Sequence, residues 1–290
     1  MILSYLAAIL ASVLWGASFL LTKITLTEMG PLAVAAIRWW IAGIVMVFVL
    51  LVHPVGRQKL FLALRQHWLT FVGLGIVGEA IFYILQNVAL VYTTSIDVGL
   101  IMNVFPILTV LMGVLILREE ISWKAGAGTA LALVGVTLIT LGATSTGFEV
   151  ARARLLGNIL AIIAVVAGSV YLVAGKRMVA AYGPLTVSGL AGLFGAIALT
   201  PTALWEGINL QVSGQVWAAL LTLSLACSVA AYLLWWYAAA RMPLSRAGVF
   251  IYISPIVSTA LGVIALGEPM GVATSAGAVL VLGGLVLVQS

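Results

Sequence analysis

Apolar runs of about twenty residues alternate with short polar connections from one end of the chain to the other. The runs fall at about 3–22, 31–52, 68–91, 97–117, 123–142, 155–175, 184–204, 216–240, 244–266 and 270–288. A helix rises 1.5 Å per residue, so roughly 20 residues cross about 30 Å of hydrocarbon. The pattern therefore predicts ten membrane-crossing helices. The first run has no basic residue before Lys23. It fits as the opening helix of a repeat and is expected to be retained, not cleaved as a signal peptide.

The chain repeats itself. Gly99, Pro106, Ile107, Gly113, Val114, Leu117 and Glu119 recur 149 positions later as Gly248, Pro255, Ile256, Gly262, Val263, Leu266 and Glu268. Tyr83 and Gly135 match Tyr232 and Gly284 at the same offset, while Lys23 and Pro31 match Lys176 and Pro184 at 153. Each half holds five runs, an odd number, so matching helices cross in opposite directions. The expected fold is an all-α polytopic membrane protein of ten transmembrane helices. These form two inverted five-helix repeats, 1–147 and 148–290, in one integral membrane unit.

Composition narrows the function. Hydrophobic residues make up 64% of the chain and charged residues 7%. No soluble interior hides that much apolar side chain, so lipid is the expected solvent. The longest connections, 53–67 and 205–215, are too short to house a domain, which places the function inside the membrane. The net charge of +5 is not gathered into a patch, so nucleic acid is not an expected partner.

Basic residues are sorted by loop. With an inner N-terminus, nine lie in inner loops: Arg57, Lys59, Arg65, Arg118, Lys124, Lys176, Arg177, Arg241 and Arg246. Three, Lys23, Arg152 and Arg154, lie outside, and Arg38 is within a run. That asymmetry predicts that Met1 and Ser290 are both cytoplasmic. The single cysteine, Cys227, rules out an intramolecular disulfide.

The sequence resembles a known family. Trp15-Gly16-Ala17-Ser18-Phe19, Pro31 with Arg38-Trp39, and the proline-to-glutamate stretches ending runs 4 and 9 are similar to the ten-helix drug/metabolite transporter superfamily of the EamA type. Within it, the chain looks most like YddG-type exporters of aromatic and neutral amino acids. The second half departs from the pattern. Ala167-Gly168-Ser169-Val170-Tyr171 stands where the first has Trp-Gly, and Ala191 matches Arg38 by offset. The resemblance implies a secondary transporter in a bacterial inner membrane, acting as a monomer by alternating access, without a cofactor.

The residues support a small-molecule transporter on their own terms. Glycines within the runs suit close helix packing. Pro106 and Pro255 each remove a backbone donor in mid-run, so each is a bend, static or gating. Glu79 lies about 16 Å from one face and Arg38 about 10 Å from the other, by helical rise. The two depths allow a buried Arg38–Glu79 brace between runs 2 and 3, the favoured reading. The alternative is that Glu79 faces the pathway and titrates.

Helical spacing puts Glu79, Tyr83 and Gln86 or Asn87 on one face of run 3. The same count presents Trp15 and Ser18 on run 1, Asn103 on run 4 and Tyr171 on run 6. On run 8 it presents Ser228 with Tyr232 and Trp235 or Trp236, and on run 9 Tyr252. These aromatic faces with a few hydroxyls and amides suit an amino acid zwitterion with a neutral or aromatic side chain. The expected substrate-binding residues are Trp15, Ser18, Tyr83, Asn87, Asn103, Tyr171, Tyr232, Trp236 and Tyr252. Trp39, Trp40, Trp68, Trp123, Trp205 and Trp217 sit nearer run ends and are expected to be interfacial anchors.

Other readings are a cationic drug or another metabolite as cargo, or a membrane enzyme or structural protein. Catalysis within the membrane needs a metal set or a nucleophile with its base. The two histidines, His53 and His67, lie in one loop; the runs hold no His/Cys/carboxylate cluster and no nucleotide-binding loop. Neither an enzyme nor a metal site is expected.

Overall fold

A computed structural model of the chain describes residues 2–102, 104–105, 108, 123–141, 148–239, 241, 250–251 and 253–289. No strand occurs among the described residues. The first helices are α1 (Ile2–Thr25), α2 (Pro31–Val52) and α3 (Pro54–Leu74). A π-helical turn, Gly75–Ile81, joins α3 to α4 (Phe82–Tyr92). Then come α5 (Ser95–Met102), α6 (Trp123–Leu141), α7 (Phe148–Tyr182) and α8 (Pro184–Glu206). A second π-helical turn, Leu223–Ala230, joins α9 (Gly214–Thr222) to α10 (Ala231–Ala239). The last are α11 (Ile253–Leu266) and α12 (Val272–Gln289).

Among the described residues, six helical segments are long and apolar enough to cross a membrane: Ile2–Thr25, Pro31–Val52, Pro54–Tyr92, Val150–Gly175, Pro184–Glu206 and Gly214–Trp235. Shorter apolar helices cover Gly126–Ile139, Ile253–Leu266 and Val272–Gly284. The chain is thus a polytopic membrane protein. Expected features at Asn103, Pro106, Glu119, Gly248, Tyr252 and both termini lie outside the described residues, as does the side chain of Trp236.

Several boundaries differ from those read off the sequence. Residues 54–66, expected as a loop, are helical. Pro54 occupies the first helical position, where its missing N–H costs nothing. Leu60 and Ala63 then pack inward beside Leu50 and Tyr182. The non-helical backbone of His67 (φ −138°, ψ 25°) separates this piece from the membrane helix. Likewise α7 begins at Phe148, ahead of the expected 155.

The helices are built for lipid. On α1, Leu3, Leu6 and Leu10 face outward, while Ser4, Ala7, Ala8, Ala11 and Ser12 face the bundle. Large apolar groups cover the exterior and small residues line the contacts, because packing and hydrogen bonds, not apolar burial, hold helices together in lipid. α2 packs along α8, α6 along α12, α1 along α10 and α11, and α4 along α7. A Cβ on Gly135 would stand 2.7 Å from the Gly277 carbonyl oxygen, so α6 and α12 meet backbone to backbone.

Candidate functional site

An aromatic cluster lies where α1, α2, α4 and α10 meet. Trp39 is fully buried at its centre. Its ring stands edge-on to Tyr83 at 5.2 Å and to Tyr232 at 6.3 Å. Trp15 meets Tyr232 at 5.7 Å and Trp235 at 5.5 Å. Such contacts add about 0.5–1.5 kcal/mol each beyond area burial. The Arg38 guanidinium carbon lies 4.7 Å from the Tyr83 ring centroid, and Arg38 Nε donates to Ser228 Oγ at 2.8 Å. Ser228 Oγ in turn lies 3.1 Å from the Leu223 carbonyl, one wide turn back.

The expected binding residues Trp15, Tyr83 and Tyr232 are therefore brought together. Trp39, expected as an interfacial anchor, is the buried centre. The signal was present: Ala35, Ala36, Ala42 and Met46 share its face and are buried with it. Trp68, Trp123 and Trp205 are exposed near helix ends. Trp40 Nε1 donates to Thr200 Oγ1 at 2.9 Å.

Glu79 sits apart, in the first π turn. It is fully buried. Among the described residues no protein group hydrogen-bonds to either carboxyl oxygen. The Arg38 guanidinium and the Tyr171 hydroxyl are its polar neighbours. The direct Arg38–Glu79 brace expected from sequence is not formed: no ion pair joins them, and Arg38 turns to Ser228 and Tyr83. The first π turn packs against α8 and α7. A Cβ on Gly195 would stand 2.5 Å from the Glu79 Cβ, and one on Gly78 would overlap the Tyr171 ring. Small residues at both places admit the contact.

The remaining expected residues scatter. Ser18 Oγ donates to the Trp15 carbonyl within its own helix. Asn87 Nδ2 donates to the Pro31 carbonyl at 3.1 Å, at the start of α2. Pro255 is buried in α11, where its carbonyl accepts from Ser258 Oγ.

The sequence reading missed a second polar region, at one end of the bundle. Asp97 is fully buried and accepts from Arg154 through two bonds, Nε to Oδ2 at 2.6 Å and Nη2 to Oδ1 at 2.9 Å. Arg154 also donates to Thr274 Oγ1, and Asn158 Nδ2 to Asp97. Lys23 Nζ donates to the Thr93 carbonyl at 2.6 Å.

Three carboxylates cap helix N-termini here. Glu268 accepts from the Ser95 amide and hydroxyl and from the Ile96 amide. Glu206 accepts from the Leu32 and Ala33 amides. Glu28 accepts from the Ser213 amide and hydroxyl, which hold its carboxyl below the usual range. Orphan amides and the positive end of the helix dipole favour an anion at such positions.

Comparison with known proteins gives one consistent answer. The EamA-like transporter family matches twice, over residues 2–141 and 155–290. An uncharacterized transporter of Archaeoglobus fulgidus is 29% identical, over 98% of this chain and 96% of its own. The aromatic amino acid exporter YddG of Ancylobacter novellus is 30% identical, over 95% and 93%. A probable terminal-alkyne amino-acid exporter of Streptantibioticus cattleyicolor is 25% identical, over 98% and 92%. A solved crystal structure superposes with a TM-score of 0.70 at 25% identity, over 98% of this chain and 95% of the other.

Proposed function

The chain belongs to the EamA-like transporter family, and from that premise we propose that it exports amino acids, aromatic and other neutral ones, by alternating access around a central cavity. The observation that carries this reading is the cluster of Trp15, Trp39, Tyr83 and Tyr232 with Arg38 and Ser228, drawn from both halves of the chain. Aromatic faces take an apolar or aromatic side chain and attract an ammonium group. A buried guanidinium attracts a carboxylate. An amino acid zwitterion carries all three features. The relatives named as amino acid exporters support the same class.

We place the halves in inverted repeats of five helices. The family matches once in each half, which supports this. So do the π turns, Gly75–Ile81 and Leu223–Ala230, which align at the offset relating Tyr83 to Tyr232. Packing is consistent with the exchange: α2 against α8 and α6 against α12 map onto themselves, and α1 against α9–α10 maps onto α7 against α3–α4. The basic-residue asymmetry supports both termini in the cytoplasm of a bacterial inner membrane. The test is efflux from proteoliposomes loaded in turn with labelled tryptophan, phenylalanine, leucine and a cationic dye. Efflux of the amino acids above protein-free vesicles is expected; efflux of the dye alone overturns the substrate class.

A further inference from the structure

We propose that Glu79 is the proton-binding site through which transport is coupled to a pH gradient; this rests on the transporter reading above. Glu79 and Ser228 occupy matching positions, 149 residues apart, in the two π turns. The environments of the two positions then diverge. In the second half, Ser228 receives Arg38 from α2. The counterpart of α2 is α8, and the residue matching Arg38 at the 153 offset is Ala191. Ala191 lies on the first π turn, its carbonyl oxygen 2.7 Å from where a Cβ on Gly75 would be. The second π turn pairs its hydroxyl with a cation from the opposite half, while the first π turn carries a carboxyl and meets a methyl-bearing residue from the opposite half.

That carboxyl is fully buried, and neither oxygen accepts a hydrogen bond from the described residues. An ionised carboxylate is costly in such a place, and a bound proton removes the charge. α2 brings Arg38, which is engaged with Ser228 and Tyr83. α7 brings the Tyr171 hydroxyl, α4 Tyr83 and the second π turn Cys227, all buried, and α10 brings the partly buried Tyr232. α8 brings Gly195 and Ala191, with no titratable group before Glu206 at its far end. None supplies a fixed counter-ion in contact.

The π turn also gives the side chain a way to change its surroundings. Wide turns of this kind gather at functional sites. Reversion to α geometry shifts the register by one residue and swings the side chain by about 100° around the helix axis. The balance of the step is simple. The carboxylate takes one proton from the side of higher proton concentration and becomes the neutral acid. It releases that proton on the other side as the amino acid moves the opposite way. With a zwitterionic substrate, each cycle moves one positive charge.

Two measurements on reconstituted protein decide the matter. The first is accumulation of labelled phenylalanine against its gradient, driven by an imposed pH gradient. The wild type is expected to accumulate it, and Glu79→Gln to lose accumulation at least tenfold while retaining counterflow at equal pH. The second is infrared difference spectroscopy across a pH titration. A protonated-carboxyl band present in wild type and missing from Glu79→Gln is expected.

Wild type that shows counterflow without pH-driven accumulation, and no titrating band, overturns the proton site and leaves the transporter reading intact. This outcome is readable on wild type alone, whether or not the variant folds. A titrating Glu79 band in a protein that moves no amino acid supports the proton site and overturns the substrate reading instead. Glu79→Gln that accumulates phenylalanine like wild type also overturns the proposal.

Discussion

Glu79 and Asp97 are both fully buried carboxyl groups, and their surroundings are opposite. Asp97 receives both arms of the Arg154 fork and the amide of Asn158. Glu79 receives no hydrogen bond from the described residues. Asp97 is held at the end of the bundle where Glu28, Glu206 and Glu268 cap helices across the two halves. Glu79 sits in a wide turn deep in a helix, against glycine. The comparison separates two uses of a buried acid. One ties helices together and is satisfied by protein. The other is left for something that arrives and departs.

The largest effect is expected at the tied acid. Asp97→Asn leaves Arg154 half-buried beside a neutral amide, and breaking a buried pair in this way typically costs about 3–5 kcal/mol. A marked fall in Tm in detergent is expected. An unchanged Tm would erase the contrast between the two acids.

A smaller loss is expected at the cap. Glu268→Gln keeps an acceptor for the Ser95 and Ile96 amides but removes the charge from the helix N-terminus. A cost of about 0.5–2 kcal/mol follows from capping and dipole terms, read as a modest drop in Tm. A loss as large as that of Asp97→Asn would show that this end depends on Glu268 as much as on the ion pair.

Glu79→Gln is expected to change stability least, within about 1 kcal/mol, because no contact ion pair or hydrogen bond is lost. A collapse in yield relieved by also removing Arg38 would restore the brace as the right description. The two stability measurements on Asp97 and Glu79 thus sharpen the comparison from both sides.

Much of the helical frame was legible in the chain. Apolar run length predicts the long helices, and 3.6-residue spacing puts Glu79, Tyr83 and Gln86 or Asn87 on one face; all four side chains are buried. The π turns were not legible, since an i→i+5 turn leaves no mark in the spacing of apolar residues. The Asp97–Arg154 pair was not legible either. Its partners are 57 residues apart and meet only once α5 and α7 pack. The first turns of α7, 148–154, carry too many charged residues to look like membrane helix, so the sequence puts Arg154 in a loop.

Trp39 was missed for another reason. Tryptophan near a run end is usually an anchor, and that rule outweighed the alanines sharing its face. The Arg38–Glu79 brace was reasoned from depth alone. Depth says nothing about which way two side chains turn around their helices.

The most direct test of the central claim, that the aromatic cluster is where an amino acid is carried, is the transport rate of three variants. Trp15→Ala, Tyr83→Ala and Tyr232→Ala are each reconstituted at equal density, and counterflow of labelled phenylalanine is measured against wild type at equal pH on both sides. Each folded variant is expected to lose at least about tenfold in rate, equivalent to roughly 1.4 kcal/mol. Wild-type rates in all three would contradict it and move the carrying site elsewhere in the bundle.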